Sequence, residues 1–90
     1  MSLRRGDVVL PRFPFSAGVG AKVRPALVVQ SDRNNQRLVN TIVAMITTSP
    51  ELSAREPTQY LINVATEEGR ESGLLRNSVV KCENIFTIHQ

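Results

Sequence analysis

Residues 38–48 read Leu-Val-Asn-Thr-Ile-Val-Ala-Met-Ile-Thr-Thr, and this run constrains the fold more than any other stretch. Ile42 to Ile46 is apolar without alternation, and β-branched Thr41, Thr47 and Thr48 flank it. A strand apolar on both faces belongs in the middle of a sheet with something packed on each side. Shorter runs of the same character surround it: Asp7–Leu10, Ala26–Gln30, Tyr60–Val64, Ser78–Cys82 and Ile85–Ile88. Pro11 restricts the first of these to an edge or a bulge, because proline has no N–H to give a ladder. Six short strands joined by turns describe a mainly β chain, a barrel or a sandwich.

Helical signals are few. Asp32-Arg33-Asn34-Asn35 reads as a turn or a single helical turn capped by Asp32, and Thr66 as the cap of a short acidic helix through Glu67 and Glu68 that Gly69 interrupts. Neither segment has the 3.6-residue apolar stripe of a core helix. Two connections are long for a small barrel, Phe13–Val23 and Ser49–Pro57. No repeat, low-complexity tract or linker divides the chain, so residues 1–90 are read as a single domain.

A domain of 90 residues buries a small core and needs support from outside it. Cys82 is the only cysteine, which excludes a disulfide framework, and with a single histidine it leaves no common His/Cys metal site. No metal and no cofactor are therefore expected, and a second subunit is the expected support. No apolar run approaches the roughly 20 residues of a membrane helix. Residues 1–6 lead straight into the first strand without an apolar signal segment, which points to a cytoplasmic protein with no membrane partner.

The formal net charge is +3, and nine of the eleven cations are arginine, leaving Lys22 and Lys81. The planar guanidinium fork suits phosphate, so this bias leans toward nucleic acid, although a solvated arginine-rich surface is the plainer account. Arg24 stands out because Pro25 follows it, and a residue before proline is pushed toward extended backbone. Its guanidinium is expected to be aimed from a fixed position beside the long loop, where it can clamp a phosphate; the alternative is a pair with Asp7 or Glu83. Thr47 and Thr48 end the central strand, where a hydroxyl can donate to a phosphate oxygen or simply finish the strand. Lys81 and Glu83 lie two apart, so a regular strand puts them on one face, as a base beside a cation or as a surface ion pair. His89 has no second histidine to work with, so a two-histidine ribonuclease mechanism is not available.

In order along the chain stand Arg5-Gly6-Asp7-Val8-Val9, Val23-Arg24-Pro25-Ala26-Leu27-Val28-Val29, Ala44-Met45-Ile46-Thr47-Thr48, Ser72-Gly73-Leu74-Leu75 and the closing block Ser78–Ile88. In that order and spacing the sequence resembles the MazF/PemK (Kid-like) family of type II toxin–antitoxin endoribonucleases over nearly its whole length. The resemblance implies an SH3-like β-barrel with short helical insertions, a homodimer, and a cognate antitoxin as partner. It also implies metal-independent cleavage of single-stranded RNA, by attack of a 2′-hydroxyl that leaves a 2′,3′-cyclic phosphate. By position, Arg24 and Thr47 match the catalytic Arg and Thr of the family, while Lys81 and Glu83 fall where some members carry a catalytic Arg and Asp. Contacts to RNA are expected from Arg12, Ser16, Lys22, Thr48 and Asn84, the Gly18–Lys22 segment matching a loop that closes on RNA. The sequence departs from the pattern in three ways. Lys81 lacks the arginine fork, the first loop has no histidine, and the chain stops at Gln90 where relatives continue into a C-terminal helix, which leaves Phe86 and Ile88 less covered. The general base stays open between Glu83 and an unusual role for Arg24. Two other functions stay open too: a gyrase-binding toxin like CcdB, and a silent dimer that only binds RNA or antitoxin.

Overall fold

The computed structural model describes residues 2–14, 20–48 and 56–90, and Ser16 and most of the second long connection lie outside them. Among the described residues the chain forms seven strands and two short helices. The strands are β1 (Val8–Val9), β2 (Arg12–Pro14), β3 (Ala21–Val23), β4 (Ala26–Val28), β5 (Asn40–Thr48), β6 (Gln59–Ile62) and β7 (Ser78–His89). Helix α1 spans Asp32–Arg37 and α2 spans Glu67–Glu71. Five strands make one antiparallel sheet in the order β1-β4-β5-β7-β6, and β2 pairs with β3 as a separate hairpin.

The central position of residues 38–48 follows from the apolar run, with β5 lying between β4 and β7. Its two faces feed two separate cores. Val43 packs with Phe13, Ala26 and Val28, against which Leu3, Val9 and Ile88 lean. Ala44 and Ile46 pack with Ile62 and Val80, and Val8, Leu27, Val29 and Leu74 join them. This second cluster draws on all five strands of the sheet, which requires the sheet to curl so that its two edges approach over a common interior. The fold is a small, mainly β half-barrel closed by short elements, and no described helix is long and apolar enough to cross a membrane.

Several local readings need correction. The stretch from Phe13 to Val23 is not one long loop, because Arg12, Phe13 and Pro14 pair with Val23, Lys22 and Ala21. Burial of Phe13 explains these arms: its ring fills the first core and lies 4.9 Å from that of Phe86. Ser78–Cys82 and Ile85–Ile88 are one strand, not two, interrupted in its pairing with β5 and not in its course. Helix α1 is capped by Ser31, whose hydroxyl accepts from the Asn34 N–H, while Asp32 is drawn away to accept from the Arg5 N–H at 2.7 Å. Thr66 caps α2 as expected, accepting from the Gly69 N–H at 3.0 Å, but Gly69 does not interrupt the helix. It is there for close approach: a Cβ at this position would sit 2.0 Å from the Asn63 carbonyl oxygen. Gly6 serves the other use of glycine, holding φ +96° in the tight turn where the Asp7 N–H donates to the Arg4 carbonyl.

Ile88 leans on the first core, while Phe86 remains 40% and Ile85 59% exposed.

Candidate active site

Pairing register decides what surrounds Arg24. Strands β4 and β5 align Val28 with Val43, Leu27 with Ala44 and Ala26 with Met45. The Ile46 N–H then donates to the Pro25 carbonyl at 3.1 Å, which carries the ladder one residue past the formal end of β4. The proline can accept that bond and cannot return one. The same register brings Arg24 opposite Thr47. Bonds at Pro25–Ile46 and Val29–Ile42 make the intervening alternate pairs non-hydrogen-bonded ones, and such pairs bring Cα atoms to about 4.5 Å. By strand alternation from Ala26 and Met45, Arg24 and Thr47 fall on one face. The Arg24 N–H also donates to the Pro11 carbonyl at 3.2 Å, tying this residue to the hairpin as well as to the sheet.

On the other side of β5, Thr47 pairs with Val79 and Met45 with Lys81. Lys81 is thus the diagonal neighbour of Thr47, about 7–8 Å away between Cα atoms. Beyond it, Gln59 of β6 pairs with Lys81. Arg24, Thr47, Lys81 and Gln59 consequently share one face across four strands, the face that carries the Phe13 core farther along.

Glu83 joins this face through β6. After Met45–Lys81 the next pair of β5 with β7 is Ala44–Ile85, so Cys82, Glu83 and Asn84 have no partner on β5. The β6 ladder continues where β5 lets go, with the Cys82 N–H donating to the Thr58 carbonyl at 3.0 Å. Gln59 Nε2 then donates to Glu83 Oε2 at 3.0 Å. The expectation that Lys81 and Glu83 share a face agrees with this bond. The Glu83 carboxyl is held below the usual carboxylate range, first by the Gln59 amide, then by its own backbone N–H, the Thr58 hydroxyl and the Lys81 charge, with desolvation opposing. It is a carboxylate at neutral pH.

The alternative reading of Arg24 as one half of a structural ion pair finds no support among the described residues. The Asp7 carboxylate accepts from the Arg4 N–H at 2.9 Å, and Glu83 is taken by Gln59. Arg24 is half-buried, and among the described residues its guanidinium has neither a hydrogen-bond acceptor nor a carboxylate partner. The Thr47 hydroxyl is likewise half-buried and without a partner among them.

The remaining residues expected at the site divide. Lys22 is opposite Phe13, on the ribbon face that turns toward the sheet, whereas Arg12 is opposite Val23 on the other face. Thr48 pairs with Ser78 and, by strand alternation, belongs to the opposite face from Thr47. Asn84 is exposed in the interrupted part of β7. His89 pairs with Asn40 at the far end of the sheet. Three cavities among the described residues lie elsewhere: one of about 700 Å³ beside Ser2, Asp7 and Asp32, one of about 250 Å³ between Val8, Ile62 and α2, and one of about 230 Å³ between Asn35, Leu38 and His89. Gln59 and Thr58 escaped the sequence reading, because nothing local marks a residue at the start of a strand as the partner of a carboxylate that follows it by more than twenty positions.

A guanidinium, a hydroxyl and an ammonium on one sheet face, with a carboxylate at its margin, can hold a phosphate diester and take a proton from a hydroxyl beside it. Fold and face together describe a small half-barrel protein with the means to bind a phosphate group. The family whose model matches residues 4–90 is the PemK-like, MazF-like toxin of type II toxin–antitoxin systems, and the chain belongs to it. Membership implies a cognate antitoxin as partner. A comparison with curated proteins returned no match.

Proposed function

We propose that this toxin is a metal-independent endoribonuclease acting on single-stranded messenger RNA at a short preferred sequence, and that its antitoxin silences it. The reading is supported by Arg24 and Thr47 on one sheet face, both half-buried and neither with a side-chain partner among the described residues. A buried or half-buried guanidinium normally finds a carboxylate or carbonyl within the protein. One that is fixed by Pro25 and left open has its hydrogen-bonding capacity available to a ligand.

The reaction balances without a metal. The ribose 2′-oxygen bonds to phosphorus as its O–H proton passes to the base, and the P–O5′ bond breaks. The 5′-oxygen leaves taking a proton from solvent, and the product is a 2′,3′-cyclic phosphate. Arg24 neutralises the charge that grows on the non-bridging oxygens, Thr47 donates to one of them, and Lys81 adds a point charge from the diagonal position. Glu83 is the base, being ionised at neutral pH on the same face. Its lowered pKa keeps it competent well into the acid range and makes it a modest proton acceptor. Lys22 and Arg12 hold the strand on either side of the hairpin, with Ser16, Thr48 and Asn84 as further contacts. Two copies of the chain form the working homodimer.

The test is a long RNA of known sequence incubated with the protein in excess chelator, with both ends of every fragment mapped. Fragments bearing 2′,3′-cyclic phosphate and 5′-hydroxyl termini are expected, at one short motif, and Arg24→Ala should yield none. Fragments lost on chelation would overturn metal independence. An intact RNA would overturn the nuclease and favour a toxin that binds a protein target such as gyrase, or a silent RNA-binding dimer.

A further inference from the structure

Strand β7 is paired on both sides through Lys81 and then loses β5 over residues 82–84. In that interval Glu83 sits beyond the reach of the strand that carries Thr47, and β6 is what keeps its place. Two β6-side bonds do so, one from the Cys82 N–H to the Thr58 carbonyl and one from Gln59 Nε2 to Glu83 Oε2. Gln59 is half-buried, opposite Lys81, and its amide spans from that paired position to the carboxylate in the unpaired one.

We infer that Gln59 is a positioning residue for the cleavage reaction: its amide fixes the Glu83 carboxylate across the interruption in β7, so that a free lone pair faces the ribose 2′-hydroxyl. The inference rests on the reading of Glu83 as base. The donor count agrees with it. An ionised carboxylate offers about four lone-pair sites, and the hydrogen bond that holds it here comes from the Gln59 amide. Lone pairs are left for the proton that the reaction must remove. A surface carboxylate without this bond samples its rotamers freely, and a base must be within hydrogen-bond reach of its proton. Among the described residues, the charged group facing Glu83 is Lys81, with Thr58 and Gln59 as its polar neighbours. Losing the Gln59 donor removes the first cause of the lowered carboxyl pKa, so that pKa rises toward its ordinary value.

Gln59→Leu keeps the bulk and removes the donor, and Gln59→His restores an N–H at similar reach. For Gln59→Leu we expect kcat to fall about tenfold with KM within twofold. The acid limb of the kcat profile should move to higher pH, and Gln59→His should recover most of both. A carboxyl-carbon NMR titration of Glu83 in wild type and Gln59→Leu reads the contact without any cleavage. A folded Gln59→Leu protein with wild-type kcat and an unmoved acid limb overturns the role of Gln59. If the Glu83 titration moves while the rate profile stays, the contact is real but Glu83 is not the base, and the mechanism above fails instead. If Glu83→Gln cleaves as wild type does, the mechanism fails by the same route. An unshifted Glu83 titration in Gln59→Leu overturns the contact itself.

Discussion

Thr41 and Thr47 stand on the same face of the same strand, near its opposite ends, and their surroundings could hardly differ more. Thr41 is fully buried and donates to Asn35 Oδ1. That oxygen also accepts from Gln30 Nε2, while Asn35 Nδ2 donates back to the Gln30 carbonyl. Gln90 closes the group from outside, its Nε2 donating to the Asn35 and Leu38 carbonyls and its Oε1 accepting from the Leu3 N–H. No described buried side-chain polar atom is left unsatisfied. At the other end Thr47 and Arg24 are only half-buried and have no side-chain partners among the described residues. The contrast teaches how a small sheet divides its polar groups. Where a network closes on itself it joins helix α1 and both chain ends to β5. Where it stays open, its donors are available to something that is not part of the fold. Burial of an unpaired polar group is costly, so the open end is tolerable because solvent or a ligand reaches it.

Substitutions can break this comparison. Arg24→Ala should lower the rate of RNA cleavage by 100-fold or more, about 3–4 kcal/mol in the barrier, with an unchanged urea midpoint; a large loss of stability would mean the guanidinium is structural after all. Asn35→Ala removes the hub of the closed network, and chemical unfolding at fixed protein concentration should show a loss of about 3 kcal/mol, with the specific activity of the folded fraction intact. Thr41→Val should cost about 1–2 kcal/mol by the same measurement and leave cleavage untouched. Thr47→Val is its mirror image: cleavage about tenfold slower, roughly 1.4 kcal/mol in the barrier, and a stability within experimental scatter. Equal behaviour of the two valine variants would sink the distinction. Tyr60→Phe is the smallest step. Its exposed hydroxyl donates to both Glu68 oxygens at 2.7–2.8 Å, and removing it should leave the urea midpoint within experimental scatter and activity unchanged.

The pH behaviour of the site follows from Glu83. Its folded pKa lies below the ordinary value, so the ionised base persists as pH falls until that lowered pKa is crossed. Wild-type kcat should therefore hold to a lower pH than an unperturbed glutamate would allow, and protonation of the carboxyl should then extinguish it.

Much of this was legible in the residues. Apolar Ile42–Ile46 announced a central strand because both of its faces must be covered, and Thr66 announced a helix start because its side chain outcompetes others for the first free N–H groups. Ser31 in place of Asp32 as the cap of α1 was not legible, since both are good caps and only a distant backbone N–H, that of Arg5, removes Asp32 from contention. The hairpin arms were hidden for a related reason: Pro14 and the glycines argue for a loop, and only the core waiting for Phe13 overrules them.

The sequence by itself determined that residues 40–48 form a central strand and that Thr66 starts the second helix. Those choices depend on neighbours along the chain, on side-chain branching and free N–H groups. Tertiary structure decided that Arg24 and Thr47 fall on one face, that Lys81 lies diagonal to Thr47 on the next strand, and that β5 releases β7 at residues 82–84, where Gln59 bonds Glu83. Register is a property of two strands together, fixed by which apolar residues reach the same core. A shift of one residue would have sent every one of these side chains to the other face.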